Sequence, residues 1–408
     1  MDFNDTPQEA AFRAEVRTWL EANAQPRRNR DDAFGAGLDK QAYVAAARAF
    51  QAKKAAAGYA AIQWPKEMGG RGGTPADQVV YGQEEAKFLV PARVFEVSLG
   101  TALPTVAMWG TDAQKRRHLA PALKGDHIWC QLFSEPSAGS DLGNVRTRAV
   151  RDGDDWVVTG QKVWTSGAHF SDYGILLART DWDKPKAKGL TMFIVDMKSA
   201  GVDVRPIHQA SGDSDFNEVF FNEVRIPDSD RLGPEGDGWK VMISTLMQER
   251  FSLGENFSGD LYAQLIELGR EVEWNGRPAL EDARVRDGIA DAYIRQFGVE
   301  LIVRRAMSAI SQGRSPGPEM AAVKLVGGLA GQRASALALE LGGAEGLLGE
   351  QDLGPAWRMP NILWIWAPGG RIAGGTDEIQ KNTIAERVLG MPGEIRTDRD
   401  VPFRELEG

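Results

Sequence analysis

The sequence runs to 408 residues with a formal net charge of −9, 42% hydrophobic and 26% charged residues. That is the balance of a globular chain large enough for two or three domains. An acidic chain without a basic patch argues against a nucleic-acid partner. A single cysteine, Cys130, excludes an internal disulfide and a Cys-built zinc cage. No apolar run approaches the ~20 residues that span a bilayer.

The first 125 residues read as helical. Phe12, Val16, Trp19 and Leu20 fall on one face of an opening helix, with Asp5 or Thr6 as its cap before Pro7. The start has neither the basic head nor the apolar stretch of a signal peptide, so a cytoplasmic location is expected. Tyr43–Ala57 and Gln78–Phe88 continue the helical period. Glu84 and Glu85 point different ways on their helix and read as surface or ion-paired groups rather than an acid–base couple. WPKEMGGRGG (Trp64–Gly73) is a loop by its glycines. Arg116–His118 and Arg304–Arg305 read as solvated faces. His118, His127, His169 and His208 have no metal-ligand spacing.

From about 126 to 235 the period changes to that of strands. Trp156–Thr159, Tyr173–Thr180, Leu190–Met197, Val202–Ile207 and Phe216–Ile226 are short Val, Ile and Phe-rich runs between turn residues, which predicts an antiparallel sandwich or barrel. Two turn-rich patches, SEPSAGSD (Ser134–Asp141) and KVWTSG (Lys162–Gly167), lie among them. Hydroxyls and free backbone N–H groups there suit a phosphate-bearing ligand, and Trp164 could pack on a flat ring; two ordinary β-turns are the alternative. There is no G-x-G-x-x-G opening a helix and no P-loop, so a Rossmann or P-loop nucleotide site is not expected.

After Gly236 the helical period returns, in Trp239–Leu253, Val299–Ile310 and Ala321–Leu341, with a Gly/Pro loop at Ser311–Pro318. Met242, Leu246, Glu249 and Leu253 share one face of the first of these helices. A carboxylate in such an apolar stripe is either paired or raised in pKa, and either structural or functional. Three domains are expected: helical over 1–125, β over 126–235 and helical over 236–408. The fold class is α+β, with the last domain resembling a four-helix bundle.

The motifs SEPSAGSD and GQKVWTSGA, in this order and spacing, resemble the TEPxAGSD and GxKxWITNG signatures of the acyl-CoA dehydrogenase family. WPKEMGGRGG, Glu249-Arg250 and GGTDEIQKNTIAERVLG (Gly374–Gly390) extend the resemblance over essentially the whole chain. It implies an FAD-dependent enzyme forming the trans-α,β double bond of an acyl-CoA thioester. It implies an electron-transfer flavoprotein as acceptor and a homo-oligomer built as a dimer of dimers. In the isovaleryl and long-chain branch the base lies on the mid-chain helix before an arginine, which nominates Glu249, with Arg250 on the substrate. The other branches place a glutamate where this chain has Gly374, whose N–H could still serve the thioester oxygen. The resemblance places Gln131, Phe133 and Ser134 on one side of the flavin ring and Trp164 and Ser166 on the other. It sets Ser140 between flavin phosphates and the pantetheine arm. It further nominates Gly342, Gly343, Thr376 and Glu378 for the cofactor. The family's Phe-Gly after an arginine is missing from Arg270–Arg286, so Arg277 stands in as the phosphate clamp. An acyl-CoA oxidase and a non-catalytic subunit of a mixed tetramer are the alternatives.

Overall fold

The computed structural model describes residues 5–28, 34–91, 94–256, 261–311, 317–344, 346 and 355–406, with side chains described except at 248–256, 307, 310–311 and 355–362. It is α+β, with helices before and after a β-domain. The chain groups into two compact units: Met1–Glu249 together with Ile395–Gly408, and Arg250–Glu394.

The first unit opens with α1 (Pro7–Asn23). Thr6 caps it reciprocally: its hydroxyl accepts from the Glu9 N–H, and the Glu9 carboxylate accepts from the Thr6 N–H at 2.7 Å. Val16 and Leu20 are buried, and Phe12 and Trp19 pack beside them. A short strand β1 (Gln25–Pro26) follows, then α2 (Lys40–Ala56) and α3 (Pro75–Glu85), and β2 (Phe88–Leu89) pairs antiparallel with β1. Glu84 is fully buried on α3 and held by Arg13, Arg17 and Lys87, so of its two expected roles the ion-paired one is found. Burial pushes its carboxyl up, yet those three cations outweigh it and bring it to about 2. α4 (Leu103–Trp109) and α5 (Asp112–Leu123) complete the N-terminal helices.

The β-domain runs through β3 (Trp129–Leu132), β4 (Arg148–Asp152), β5 (Asp155–Ser166), β6 (Tyr173–Arg179), β7 (Leu190–Asp196), β8 (Val202–Pro206), β9 (Phe216–Pro227) and β10 (Arg231–Leu232). Its sheet order is β10-β7-β6-β4-β5-β9-β8; the long pairings are antiparallel, and β3 adds a parallel pairing to β6. β6 and β7 are apolar at nearly every position because both of their faces are covered. Ile175, Leu177, Met192 and Ile194 meet Leu103, Val106, Leu119 and Leu123 of the helices. Leu176, Ala178, Phe193 and Val195 meet Trp156, Val158, Val219 and Phe221 of β5 and β9.

Two readings of the sequence need correction. His118 is not on a solvated face: it is buried, edge-on to Trp129 and Tyr173 at ring-centroid distances of 5.0 and 4.9 Å, while Arg116 and Arg117 beside it are exposed. The patch Lys162–Ser166 is not a turn but the far half of β5, paired to β9 with register shifts between Val158 and Gly160 and between Lys162 and Thr165.

α6 (Gly238–Asn256) leads from the first unit into the second. Its first half is pinned to α4: the Thr245 and Thr105 hydroxyls lie 2.9 Å apart, and the Trp109 indole N–H donates to Ser244 at 2.7 Å. The second unit holds α7 (Leu261–Glu271), a hairpin of β11 (Glu273–Trp274) and β12 (Arg277–Pro278), α8 (Ala283–Ser311), α9 (Met320–Gly342), α10 (Pro355–Ile372) and α11 (Asp377–Thr383). α9 packs against α7, α8 and α10. Among the described residues no helix is long and apolar enough to cross a membrane.

Candidate functional site

The two motif patches expected from the sequence meet in the β-domain, joined by a buried ion pair. The Glu135 and Lys162 side chains are both buried, and the Lys162 ammonium donates to the Glu135 carboxylate at 2.8 Å and to the Phe133 carbonyl at 2.9 Å. The other bonds of Glu135 come from the chain that follows its loop: the N–H groups of Arg146 and Thr147 donate to it at 2.7 and 2.9 Å. A tight antiparallel bridge between Glu135 and Ala138 folds the loop upon itself. Across the gap, the Val163 N–H donates to the Ser134 carbonyl at 2.9 Å. Burial pushes the Glu135 carboxyl up, but the Lys162 charge and the hydrogen bonds outweigh it, so it stays below the usual carboxylate range. Burial lowers the affinity of Lys162 for its proton.

This clamp sets the exposed groups of both patches. Phe133 is buried in the core between helices and sheet, and Gln131 and Ser134 are half-buried at its edge. On β5, Thr165 is buried while Trp164 and Ser166 are exposed. Trp164 adopts φ 60°, a left-handed conformation costing an L-residue roughly 1–2 kcal/mol. Its indole meets Phe216 edge-on, 6.0 Å between centroids, and remains 59% exposed. The buried Thr165 hydroxyl has no hydrogen-bond partner among the described residues. Asn217 of β9 braces this stretch: its amide donates to the Thr165 carbonyl at 2.9 Å, and its carbonyl oxygen meets His169 Nδ1 at 3.2 Å. Gly160 lets β5 pass the end of the other loop, since a Cβ there would lie 2.7 Å from Thr147 Cα. Ser140 lies exposed at the loop's outer end, next to Asp141, which is bonded by Lys186 at 2.9 Å.

The remaining nominated residues lie on α6 and in the second unit. Glu249 and Arg250 sit on α6, seven and eight residues after the buried Met242; their side chains lie outside the described residues. Within the second unit, Arg277 is exposed on β12, and Gly342 and Gly343 form the end of α9, Gly343 with φ 50°. Gly374 and Gly375 turn left-handed (φ 64° and 89°) into Thr376, which caps α11 by accepting from the Ile379 N–H. Glu378 is exposed in that first turn. Asp377 between them is buried, and Arg371 donates to it at 2.6 Å; Arg371 also bonds Gln332 of α9, and Lys324 of α9 donates to the Arg371 carbonyl. The turn is thereby anchored on α9 and α10.

Sequence reading missed Glu135, Lys162 and Asn217. The available signal was a lysine in one patch and a glutamate inside the small-residue turn of the other, opposite charges in two motifs that occur together.

Comparison with known proteins gives a consistent result over the chain. Family models match residues 6–126 (acyl-CoA dehydrogenase, N-terminal domain), 130–224 (middle domain) and 236–389 (C-terminal domain). A similar relative is the acyl-CoA dehydrogenase IpdE1 of Mycobacterium tuberculosis, 36% identical over 389 residues, covering 94% of this chain and 98% of the relative. The ChsE4-ChsE5 complex from Mycobacterium tuberculosis has a similar solved fold, with TM-score 0.80, 30% identity and coverage of 97% of this chain and 100% of that one. Another is the Tcur3481-Tcur3483 steroid ACAD, with TM-score 0.79, 28% identity and coverage of 97% and 100%.

Proposed function

The chain belongs to the acyl-CoA dehydrogenase family of FAD-dependent oxidoreductases, and from that premise we propose that it binds FAD and dehydrogenates an acyl-CoA thioester between the α and β carbons. The observation that carries the reading is the Glu135–Lys162 clamp, which ties the strand bearing a strained, exposed indole to the stretch bearing Phe133 and Ser134. Those residues suit a flat ring with polar edges. Trp164 offers an uncovered aromatic face, Ser166, Ser134 and Gln131 offer hydrogen-bonding groups, and the Thr165 hydroxyl is without a partner among the described residues. FAD, when bound, supplies the acceptor for the hydride that leaves the β carbon.

The chain's own residues do the rest. Glu249 takes the α-proton, the task for which a carboxylate raised in proton affinity by apolar neighbours is suited. The Gly374 N–H polarises the thioester carbonyl, because the α-hydrogen is too weakly acidic for a carboxylate alone. Ser140 and Arg250 hold the substrate, and Gly342, Gly343, Thr376, Glu378 and Arg277 hold the rest of the cofactor. The domain limits at 125 and 235, a cytoplasmic location, a homo-oligomer built as a dimer of dimers and an electron-transfer flavoprotein as acceptor belong to the same proposal. The likeness to a steroid ACAD extends it to a bulky, polycyclic acyl group.

The test is direct. The purified chain should carry a flavin spectrum that bleaches with an acyl-CoA from a panel including a steroid side-chain thioester. Glu249→Gln should keep its flavin and lose turnover by several orders of magnitude. Near-normal turnover in that variant moves the base elsewhere. A second reading, a subunit that needs a different partner chain, is favoured by relatives solved as two-chain assemblies. It predicts no flavin and no turnover from the chain purified alone.

A further inference from the structure

After the second unit the chain returns to the first over Ile395–Gly408, and the residues it meets there are those that hold the loop carrying Ser140. Phe403 is buried. Its ring centroid lies 3.5 Å from the Arg179 guanidinium carbon, closer than most cation–π contacts, and 5.2 Å from the Trp182 ring. The segment is stitched down beside it by main-chain bonds. The Phe403 N–H donates to the Lys184 carbonyl at 3.0 Å, the Arg404 N–H donates to the Trp182 carbonyl at 3.0 Å, and Pro402 bridges Pro185. Arg404 pairs with Asp183.

Arg179 is itself fully buried, and its hydrogen bonds run to main-chain carbonyls. It donates to Gly143 at 2.7 Å and to Val145 at 2.9 Å, with longer bonds to Lys186. Gly143 and Val145 belong to the stretch that leads from Ser140 to the Glu135-bound N–H groups of Arg146 and Thr147. A second tie runs outside the core: Lys186 bonds Asp398 of the returning segment at 2.7 Å and Asp141 of the loop at 2.9 Å. One face of a buried cation is thus closed by Phe403 and its edge is spent on the loop. Without the ring, the guanidinium would face water or collapse, and its grip on Gly143 and Val145 would loosen.

We infer that residues 398–404 act as a strap that holds the Ser140 loop in shape for binding substrate, with Phe403 and Arg179 as positioning residues. The substrate part rests on the proposed acyl-CoA site. The strap reaches the loop through Arg179 and Lys186, and the proposed base is not among the residues it holds, so its loss weakens uniform binding rather than chemistry.

The experiment compares full-length flavin-loaded enzyme with Phe403→Ala, Phe403→Leu and Asp398→Asn. It reads amide hydrogen exchange over 141–147 together with KM and kcat for the best acyl-CoA of the panel. Expected for Phe403→Ala is faster exchange at 144–147 with β7 unchanged, and a KM raised about tenfold with kcat within about twofold. Phe403→Leu, which keeps bulk but no ring face, should fall between it and wild type. Asp398→Asn, at the exposed tie, should raise KM about twofold without disturbing the core, so a misfolded Phe403 variant still leaves the idea open to refutation. Unchanged exchange at 141–147, or faster exchange with an unchanged KM, overturns the strap while the dehydrogenase reading stands. A wild-type chain without flavin or turnover overturns the dehydrogenase reading and the substrate role with it, whatever the exchange result.

Discussion

Replacing Lys162 by Met tests the clamp between the two motif patches. The side chain is fully buried and donates two bonds, to Phe133 O and to Glu135 Oε1. Methionine nearly matches its volume, so the cost is electrostatic: a carboxylate left buried without its cation and a carbonyl left without a donor. Removing one member of a buried pair costs about 3–5 kcal/mol. A domain's whole stability is about 5–15 kcal/mol, and 1 kcal/mol moves Tm by about 2–4 °C in domains of this size class, so a fall of roughly 10 °C is expected. The sign with pH is also determined. In the wild type the lowered Glu135 pKa contributes stability above its ordinary value, lost as pH falls through the folded value. In Lys162→Met burial dominates and raises that pKa, so the variant's deficit should narrow as pH is lowered toward about 4 and widen above. Glu135→Gln added to Lys162→Met should recover part of the loss, since no charge is then stranded. The assay is thermal unfolding of flavin-stripped protein, which keeps ligand linkage out of the comparison. A single variant within about 1 kcal/mol of wild type, or a double variant no better than the single, would refute the reasoning.

Three further outcomes are expected. Gly160→Ala should cost about 1–3 kcal/mol by urea midpoint, because the new Cβ meets the Thr147 main chain at 2.7 Å and cannot be relieved by a rotamer; an unchanged midpoint contradicts the close approach. Trp164→Gly should stabilise the flavin-free chain by up to about 1 kcal/mol by removing left-handed strain, yet weaken flavin retention on dialysis; undiminished retention would remove Trp164 from the cofactor site. Burial holds the His118 pKa near 4, with the charges of Arg117 and His127 adding to it. Its stabilising contribution is therefore full above about 6.5 and fades as pH falls toward 4, a loss of about 3 kcal/mol in all. His118→Phe should flatten that limb of the stability–pH curve, and an unaltered limb would show that the acid sensitivity arises elsewhere.

The strands that build the sheet were legible because both faces of β6 and β7 are covered, which makes them apolar at almost every step. The opening helix was legible because Thr6, Pro7 and Glu9 carry a capping pattern that acts locally. Lys162 was not, since a lysine heading a turn-rich patch gives no sign of burial until the glutamate that meets it is known. Nothing in KVWTSG announces a left-handed tryptophan either: the bulge that imposes φ 60° comes from pairing with β9, and Gly or Asn, the usual markers, are absent at that position. His118 misled for the same reason, because two exposed arginines precede it while its own ring turns into Trp129 and Tyr173.

Lys162 and Arg179 share a role that explains why buried cations recur beside this site. A loop meant to leave N–H groups and hydroxyls open to a ligand cannot spend its backbone in a ladder, so its inward carbonyls need other donors. Phe133, Gly143 and Val145 take theirs from the two cations. A lysine or arginine reaches such carbonyls from a neighbouring strand and carries several donors at once, which a water or a serine could not hold in place as firmly. The two charges are settled differently: Glu135 neutralises Lys162, whereas Arg179 keeps its charge over the Phe403 ring with its pKa lowered by burial to about 10. A neutral replacement that keeps shape at either position should therefore leave the sheet standing and loosen the loop. That makes loop order a second measure, beside global unfolding, of what these cations do.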